Sequence, residues 1–94
     1  MFGRRDENQN DIKEALERIG VRVWDAADMR NGFPDLVAGG INRQTMQAQI
    51  VLLEVKSDKG TLTPDELRFH TEWQGLPVFI VRNEAEALKC FGVE

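Results

Sequence analysis

The chain has 94 residues, of which 41% are hydrophobic, and it carries a formal net charge of −4 at pH 7. This length allows one compact domain, residues 1–94, with a modest core, and the acidic balance excludes a protein that holds nucleic acid by overall positive charge alone. No apolar run is long enough to cross a bilayer, and the N-terminus lacks the apolar core of a signal peptide. We therefore expect a cytoplasmic protein with no membrane partner.

The first predicted element is an amphipathic helix from Asn8 to Ile19. Its apolar positions recur at the spacing of one helix face, and Gly20 ends it. On the helical wheel Asn8 lies within the apolar face, whereas Asp11 is offset from it and Glu7 points further away.

Two short strands and a hairpin turn are predicted next. The first strand spans Val21 to Trp24 and is followed by a polar loop. Pro34 favours an extended entry into a second strand, Asp35 to Ala38. The glycine-rich, polar stretch from Gly39 to Gln49 predicts a turn with a flexible surface loop.

The third strand, Ile50 to Val55, reads as buried on both faces. It nevertheless contains Glu54 and runs directly into Lys56, and side-chain alternation puts these two residues on one face. Pairing of the second and third strands as a hairpin brings Asp35 beside Glu54. Two carboxylates and a lysine are therefore predicted to converge.

The C-terminal third predicts a helix, a strand and a final helix. Thr63 caps the helix start, Pro64 occupies its first position, and Glu66 completes a capping box. The following strand spans Leu76 to Val81, and Asn83 caps the last helix. The order αβββαβα indicates a mixed sheet with helices packed on it, in the α/β or α+β class.

The converging side chains suggest metal-dependent phosphodiester hydrolysis. Carboxylates such as Asp35 and Glu54 suit Mg²⁺ or Mn²⁺, and Lys56 would stabilise negative charge on a phosphate. The alternative is structural, with Glu54 and Lys56 marking an exposed strand end and Asp35 capping a turn. A patch of basic side chains would contact nucleic acid. Its members are Arg4, Arg5, Arg43 and Lys59, although ordinary solvated surface charge is the simpler interpretation.

The segments from Gly32 to Leu36, from Leu52 to Lys56 and from Leu62 to Glu66 resemble the PD-(D/E)XK nuclease superfamily and, within it, the VRR-NUC family of virus-type replication-repair nucleases. The resemblance implies a restriction-endonuclease-like αβββαβ core. It also implies that Asp35, Glu54 and the backbone carbonyl of Val55 bind the metal ion and that Lys56 is catalytic. The small phage-type members that the chain resembles are homodimeric, metal-dependent endonucleases that use no organic cofactor and act on branched DNA such as four-way (Holliday) junctions.

Two positions depart from the family pattern. Many members have a metal-site glutamate on the first helix, where this chain has Asn8, so Glu7 or Asp11 would have to replace it. The family usually has glutamine at the position of Glu66, which either only caps its helix or also contacts the metal site. The missing acid leaves a rival function open, a catalytically silent module that binds nucleic acid or supports assembly. A sequence-specific restriction-like enzyme is disfavoured, because so short a chain has no insertion for reading bases.

Overall fold

The computed structural model describes residues 3–94, with side chains from residue 8 onward. Within that range the elements follow the predicted order: α1 (Gly3–Arg18), β1 (Arg22–Asp25), β2 (Leu36–Ile41), β3 (Ala48–Val55), α2 (Pro64–Glu72), β4 (Val78–Val81) and α3 (Glu84–Lys89). None of the helices in this part of the chain combines the length and the apolar run needed to cross a membrane.

The strands form one four-stranded mixed sheet in the order β1-β2-β3-β4. The β1–β2 and β2–β3 pairs are antiparallel and β3–β4 is parallel, because α2 carries the chain back to the starting end of β3. The fold class expected from the sequence is thereby confirmed. In the β2–β3 register Leu36 lies opposite Leu53, so Asp35 stands beside Glu54 at the same end of the sheet.

One face of the sheet is covered by α1 and α3 and forms the core. Alternating strand residues point to this face, and they pack against residues of the two helices and of the turn after α3. The buried residues are Leu36, Ala38, Val51, Leu53, Val55 and Val81 from the sheet, Ile12, Leu16 and Ala87 from the helices, and Phe91 from the turn. Each large buried side chain contributes about 1.5–3 kcal/mol relative to an exposed one. This packed face supports the end of the sheet where Asp35 and Glu54 meet.

The other face, which we call the open face, is not covered in this way. By the strand register its residues are Trp24, Val37, Ile41, Ile50, Leu52, Val78 and Ile80. The prediction that the third strand is buried on both faces is therefore wrong for Ile50, which is 65% exposed. The sheet is mainly antiparallel, and such sheets commonly pack on one face only.

The predicted flexible loop from Gly39 to Gln49 is also wrong. Strand β2 continues through both glycines to Ile41, and β3 begins at Ala48. The glycines serve close packing, since a Cβ on Gly40 would lie 3.2 Å from the Cα of Val21. The remaining turn is tight because the Asn42 side-chain oxygen accepts hydrogen bonds from the two backbone N–H groups at positions 44 and 45, at 2.8 and 3.1 Å.

Candidate active site

Asp35, Glu54 and Lys56 meet at one end of the sheet, on the side of the open face. Asp35 immediately precedes β2, Glu54 is the penultimate residue of β3, and Lys56 follows that strand. The two carboxylates are 2% and 0% exposed, respectively. The Nζ atom of Lys56 lies 3.8 Å from Oε2 of Glu54. The structure thus brings together the three residues singled out from the sequence.

The loop before Asp35 is fixed against the start of α2. Gly32 has a φ of 81°, and a Cβ at this position would collide with the backbone carbonyl of Asp65. Only glycine combines this conformation with so close an approach. The ring of Phe33 packs edge-on against Phe69 at 5.5 Å between centroids. The Gly-Phe-Pro-Asp motif therefore couples the position of Asp35 to α2.

The carboxylate of Asp35 is oriented by the backbone of the neighbouring strand. The N–H of Val55 donates to its Oδ2 atom at 2.9 Å. A backbone donor of this kind holds the carboxylate in one orientation. Metal binding by the Val55 carbonyl, which the family resemblance implies, stays a prediction.

Glu54 is a buried carboxyl whose ionised form is strongly disfavoured. Burial is the largest cause, followed by the negative charge of Asp35 and a hydrogen bond with it, and the charge of Glu66 adds to them; Lys56 acts in the opposite direction. Together these raise the pKa of Glu54 to about 9. Apart from this contact with Asp35, neither carboxyl oxygen of Glu54 has a hydrogen-bond partner among the described residues.

These properties fit a divalent cation. The carboxylates of Asp35 and Glu54 are hard oxygen ligands that lie side by side. A cation between them would neutralise their mutual repulsion and would contact the buried oxygens of Glu54. From residue 8 onward, no three acidic, histidine or cysteine side chains are grouped so that they could hold one ion. Mg²⁺ commonly binds through one or two carboxylates and keeps several waters, so Asp35 and Glu54 suffice as side-chain ligands.

Glu66 both caps α2 and holds Lys56. Its Oε1 atom accepts from the Lys56 ammonium at 2.7 Å and from the Thr63 backbone N–H at 2.9 Å, while its own N–H donates to Thr63 Oγ1. Burial acts to raise the pKa of Glu66, but the hydrogen bonds from Lys56 and Thr63 outweigh it and hold the pKa below its ordinary value. The predicted capping box is confirmed, and Glu66 also belongs to the site through Lys56.

Asn8 occupies the first-helix position where the family pattern has an acid. Its Nδ2 atom donates to the backbone carbonyls of Lys56 at 3.2 Å and Arg82 at 3.5 Å. Asp11 is exposed, and among the described residues no hydrogen bond or ion pair joins it to Asp35 or Glu54. Glu7, like Arg4 and Arg5, lies outside the residues whose side chains are described.

Arg82 is a site-forming residue that the sequence reasoning missed. It follows β4, and its Nη1 atom donates to the carbonyls of Ser57 at 2.6 Å and Gly60 at 2.8 Å. The loop after Lys56 is thus held in place by a guanidinium from the neighbouring strand. The sequence shows an arginine directly after a predicted strand, but the carbonyls that this arginine binds lie more than 20 residues away in the sequence.

A cleft of about 730 Å³ opens beside Lys56 and would accommodate part of an extended substrate. Most of the residues that line it have polar or charged side chains, and Val55 and Gly60 complete the lining: Asn8, Lys56, Ser57, Asp58, Thr61, Thr63, Glu66 and Arg82. Lys59 is exposed in the adjoining loop. Arg43 lies in the turn at the other end of the β2–β3 hairpin, roughly 20 Å away along six strand residues, where its guanidinium donates to the Ile19 carbonyl.

His70 packs beside the site without joining it through a hydrogen bond. Its ring lies edge-on to Phe69, with centroids 6.3 Å apart, and its Nε2 atom is buried without a partner among the described residues. Burial lowers the pKa of His70; Lys56 acts in the same direction, and Glu66 opposes it. A neutral imidazole within an aromatic cluster indicates a packing role for His70.

The comparison with known proteins identifies one type of neighbour. No protein-family model matches the chain, and no curated protein does. A solved structure described as a "VRR_NUC domain" is similar, with 27% sequence identity and a TM-score of 0.69 over 90% of each of the two chains. This likeness agrees in fold and in family with the resemblance that the sequence motifs carry.

Proposed function

We propose that this chain, a nuclease-type domain with the restriction-endonuclease-like fold and a VRR-NUC resemblance, is a divalent-metal-dependent endonuclease that hydrolyses phosphodiester bonds in branched DNA. The observation that carries the proposal is the buried pair of Asp35 and Glu54 beside Lys56. Two carboxyl groups buried this close together are costly for stability unless they serve binding or catalysis.

Asp35 and Glu54 would hold Mg²⁺ or Mn²⁺, with the Val55 carbonyl as a further ligand. When bound, the ion supplies an activated water and neutralises charge on the phosphate. Lys56 presents its ammonium from the end of β3 and would donate to a phosphate oxygen as negative charge develops there. Glu66 keeps that ammonium in place at 2.7 Å, so that little reorganisation is needed during the reaction.

DNA is the substrate class that the nuclease-type domain and the polar cleft favour. Lys59 beside the cleft supplies positive charge for a phosphate backbone. Four-way junctions follow from the family resemblance and from a homodimer, whose two active sites would address two strands related by a two-fold axis. A role in DNA repair and a phage origin follow from the same resemblance.

A catalytically silent binding module is the second candidate. Asn8 favours it, because an amide bonded to two backbone carbonyls replaces a family metal-site acid. Such a module would bind branched DNA through the same surface without cutting it.

The test compares a four-way junction with a linear duplex of matched sequence in Mg²⁺, Mn²⁺ or EDTA. We expect junction cleavage that EDTA abolishes and that Asp35→Ala, Glu54→Ala and Lys56→Ala each reduce by about 10²-fold or more. Glu14→Gln is the control, because Glu14 is exposed on α1, where it lies beside Arg18. Metal-independent junction binding without cleavage would reject the endonuclease in favour of the silent module.

Lys56→Ala separates catalysis from metal binding. Because an ammonium repels a cation, we expect this variant to bind Mn²⁺ at least as tightly as the wild type, measured by calorimetry, while turnover falls. Weaker Mn²⁺ binding with normal turnover would contradict the role given to Lys56.

A further inference from the structure

We propose that the open face of the sheet is the surface through which two copies of this chain form the homodimer. The inference rests on the proposed function for the existence of the dimer and adds the surface that forms it. Three observations support it: the exposure of the face, the apolar residues that α2 leaves exposed, and the apolar chemistry of the face.

The open face is apolar and exposed across three adjacent strands. Trp24 on β1 is 73% exposed, Ile41 on β2 is 51% exposed and Ile50 on β3 is 65% exposed. The partly exposed Val37 lies next to Trp24 in the strand register and Leu52 lies next to Val37, so the patch continues from β1 to Ile50 on β3. Contiguous apolar surface of this kind marks an interaction site, whereas single exposed apolar residues do not.

Helix α2 leaves further apolar surface on the same side of the sheet. Its N-terminus lies on that side, because Glu66 reaches Lys56 there. No residue of α2 is buried, and Leu67 and Trp73 are 56% and 38% exposed. A helix that connects two parallel strands of one sheet usually buries an apolar stripe against that sheet. A second copy of the chain would cover the apolar side chains that remain exposed on this side of the sheet.

The chemistry of the face favours a second copy over nucleic acid. Among its strand residues away from the catalytic end, Arg22 at the β1 edge carries the positive charge and the others are apolar or glycine. Nucleic acid requires several cations along its backbone. A largely apolar face is complementary to itself, which a two-fold interface requires, and two sheets pack face to face about 10 Å apart.

The test is sedimentation of the full chain across a range of concentrations. We expect the wild type to sediment with the mass of two chains at tens of micromolar. Ile50→Asp should raise the dissociation constant by at least 100-fold, because it places a charge in the centre of the face. Ala85→Asp is the matched control, since it adds the same charge to an exposed position on α3, on the other side of the sheet.

A monomeric wild type, or Ile50→Asp dimers of normal affinity, would overturn the proposal. A second measurement does not depend on the folding of Ile50→Asp. In a Trp73→Phe background, the remaining fluorescence comes from Trp24, and its emission should shift to the red on dilution as the dimer dissociates. Dissociation without such a shift would also reject this surface. Metal-dependent cleavage by a dimer that tolerates Ile50→Asp would leave the proposed activity standing and reject only the surface.

Discussion

At the scale of single residues, Glu54 determines how the protein responds to pH. Its folded pKa of about 9 lies above its ordinary value of 4.5, so the folded chain keeps a proton that the unfolded chain releases. The free energy of unfolding therefore receives its full contribution from Glu54 below pH 4.5 and loses it progressively as the pH rises toward 9.

We predict that, in EDTA, the melting temperature falls between pH 5 and pH 9, and that it falls less in Glu54→Gln, which stays neutral throughout. Thermal unfolding followed by circular dichroism would measure this difference. Equal pH dependence in the two proteins would show that Glu54 is not the titrating group. Mn²⁺ should stabilise the wild type most at the high end of this range, because metal binding displaces the proton.

The residue scale also shows what local patterns can predict. Strand alternation and the position of Pro34 suffice to place Asp35, Glu54 and Lys56 together, because each relation spans few residues or one hairpin. The hydrogen bonds of Asn8 and Arg82 join segments that are far apart in the sequence, and the periodicity of neighbouring residues cannot predict them. The two glycines of β2 were wrongly predicted to begin a turn. Gly40 lacks a side chain because its backbone packs closely against Val21.

At the scale of elements, the start of α2 joins helix stability to the catalytic centre. Glu66→Gln retains a side-chain oxygen for the Thr63 N–H but loses the charge that pairs with Lys56. We predict a change in the free energy of unfolding below about 1 kcal/mol and a clear loss of turnover. The amount of Mn²⁺ needed for half-maximal cleavage should stay near that of the wild type.

The metal requirement is the discriminating measurement for Glu66. A several-fold increase in the Mn²⁺ concentration needed by Glu66→Gln would make Glu66 a direct participant in the metal site. An unchanged turnover would reduce it to a helix cap. Glu66→Ala should lose the cap as well, at a cost of about 0.5–2 kcal/mol.

The contact between the Gly32 loop and α2 can be tested against a matched glycine. Gly32 and Gly75 have similar φ values of 81° and 91°, but a Cβ on Gly75 would meet nothing within 4 Å. Gly75→Ala should therefore cost only the conformational strain, about 1–2 kcal/mol. Gly32→Ala should cost more, because it also collides with the Asp65 backbone, and chemical denaturation would measure both. Equal costs would contradict the close approach.

At the scale of the whole molecule, assembly through the open face makes stability depend on concentration. A dimer buries apolar surface that the isolated chain exposes, and mass action then links folding to association. We predict that the melting temperature rises with protein concentration in the wild type and in Ala85→Asp, and that it does not in Ile50→Asp. Calorimetry over a hundredfold range of concentration would show this, and a wild-type melting temperature independent of concentration would contradict it.

The hydrogen bonds of Asn8 have a consequence for how this sequence can change. Its amide donates to carbonyls at the ends of two parallel strands, and a glutamate there would instead bring an acceptor against two acceptors. A single substitution therefore cannot restore the acid of the family pattern at this position without separating α1 from both strand ends. The carbonyls left without a donor would cost about 1–3 kcal/mol of stability. Any further acid that completes the metal site would therefore have to come from another position of the chain.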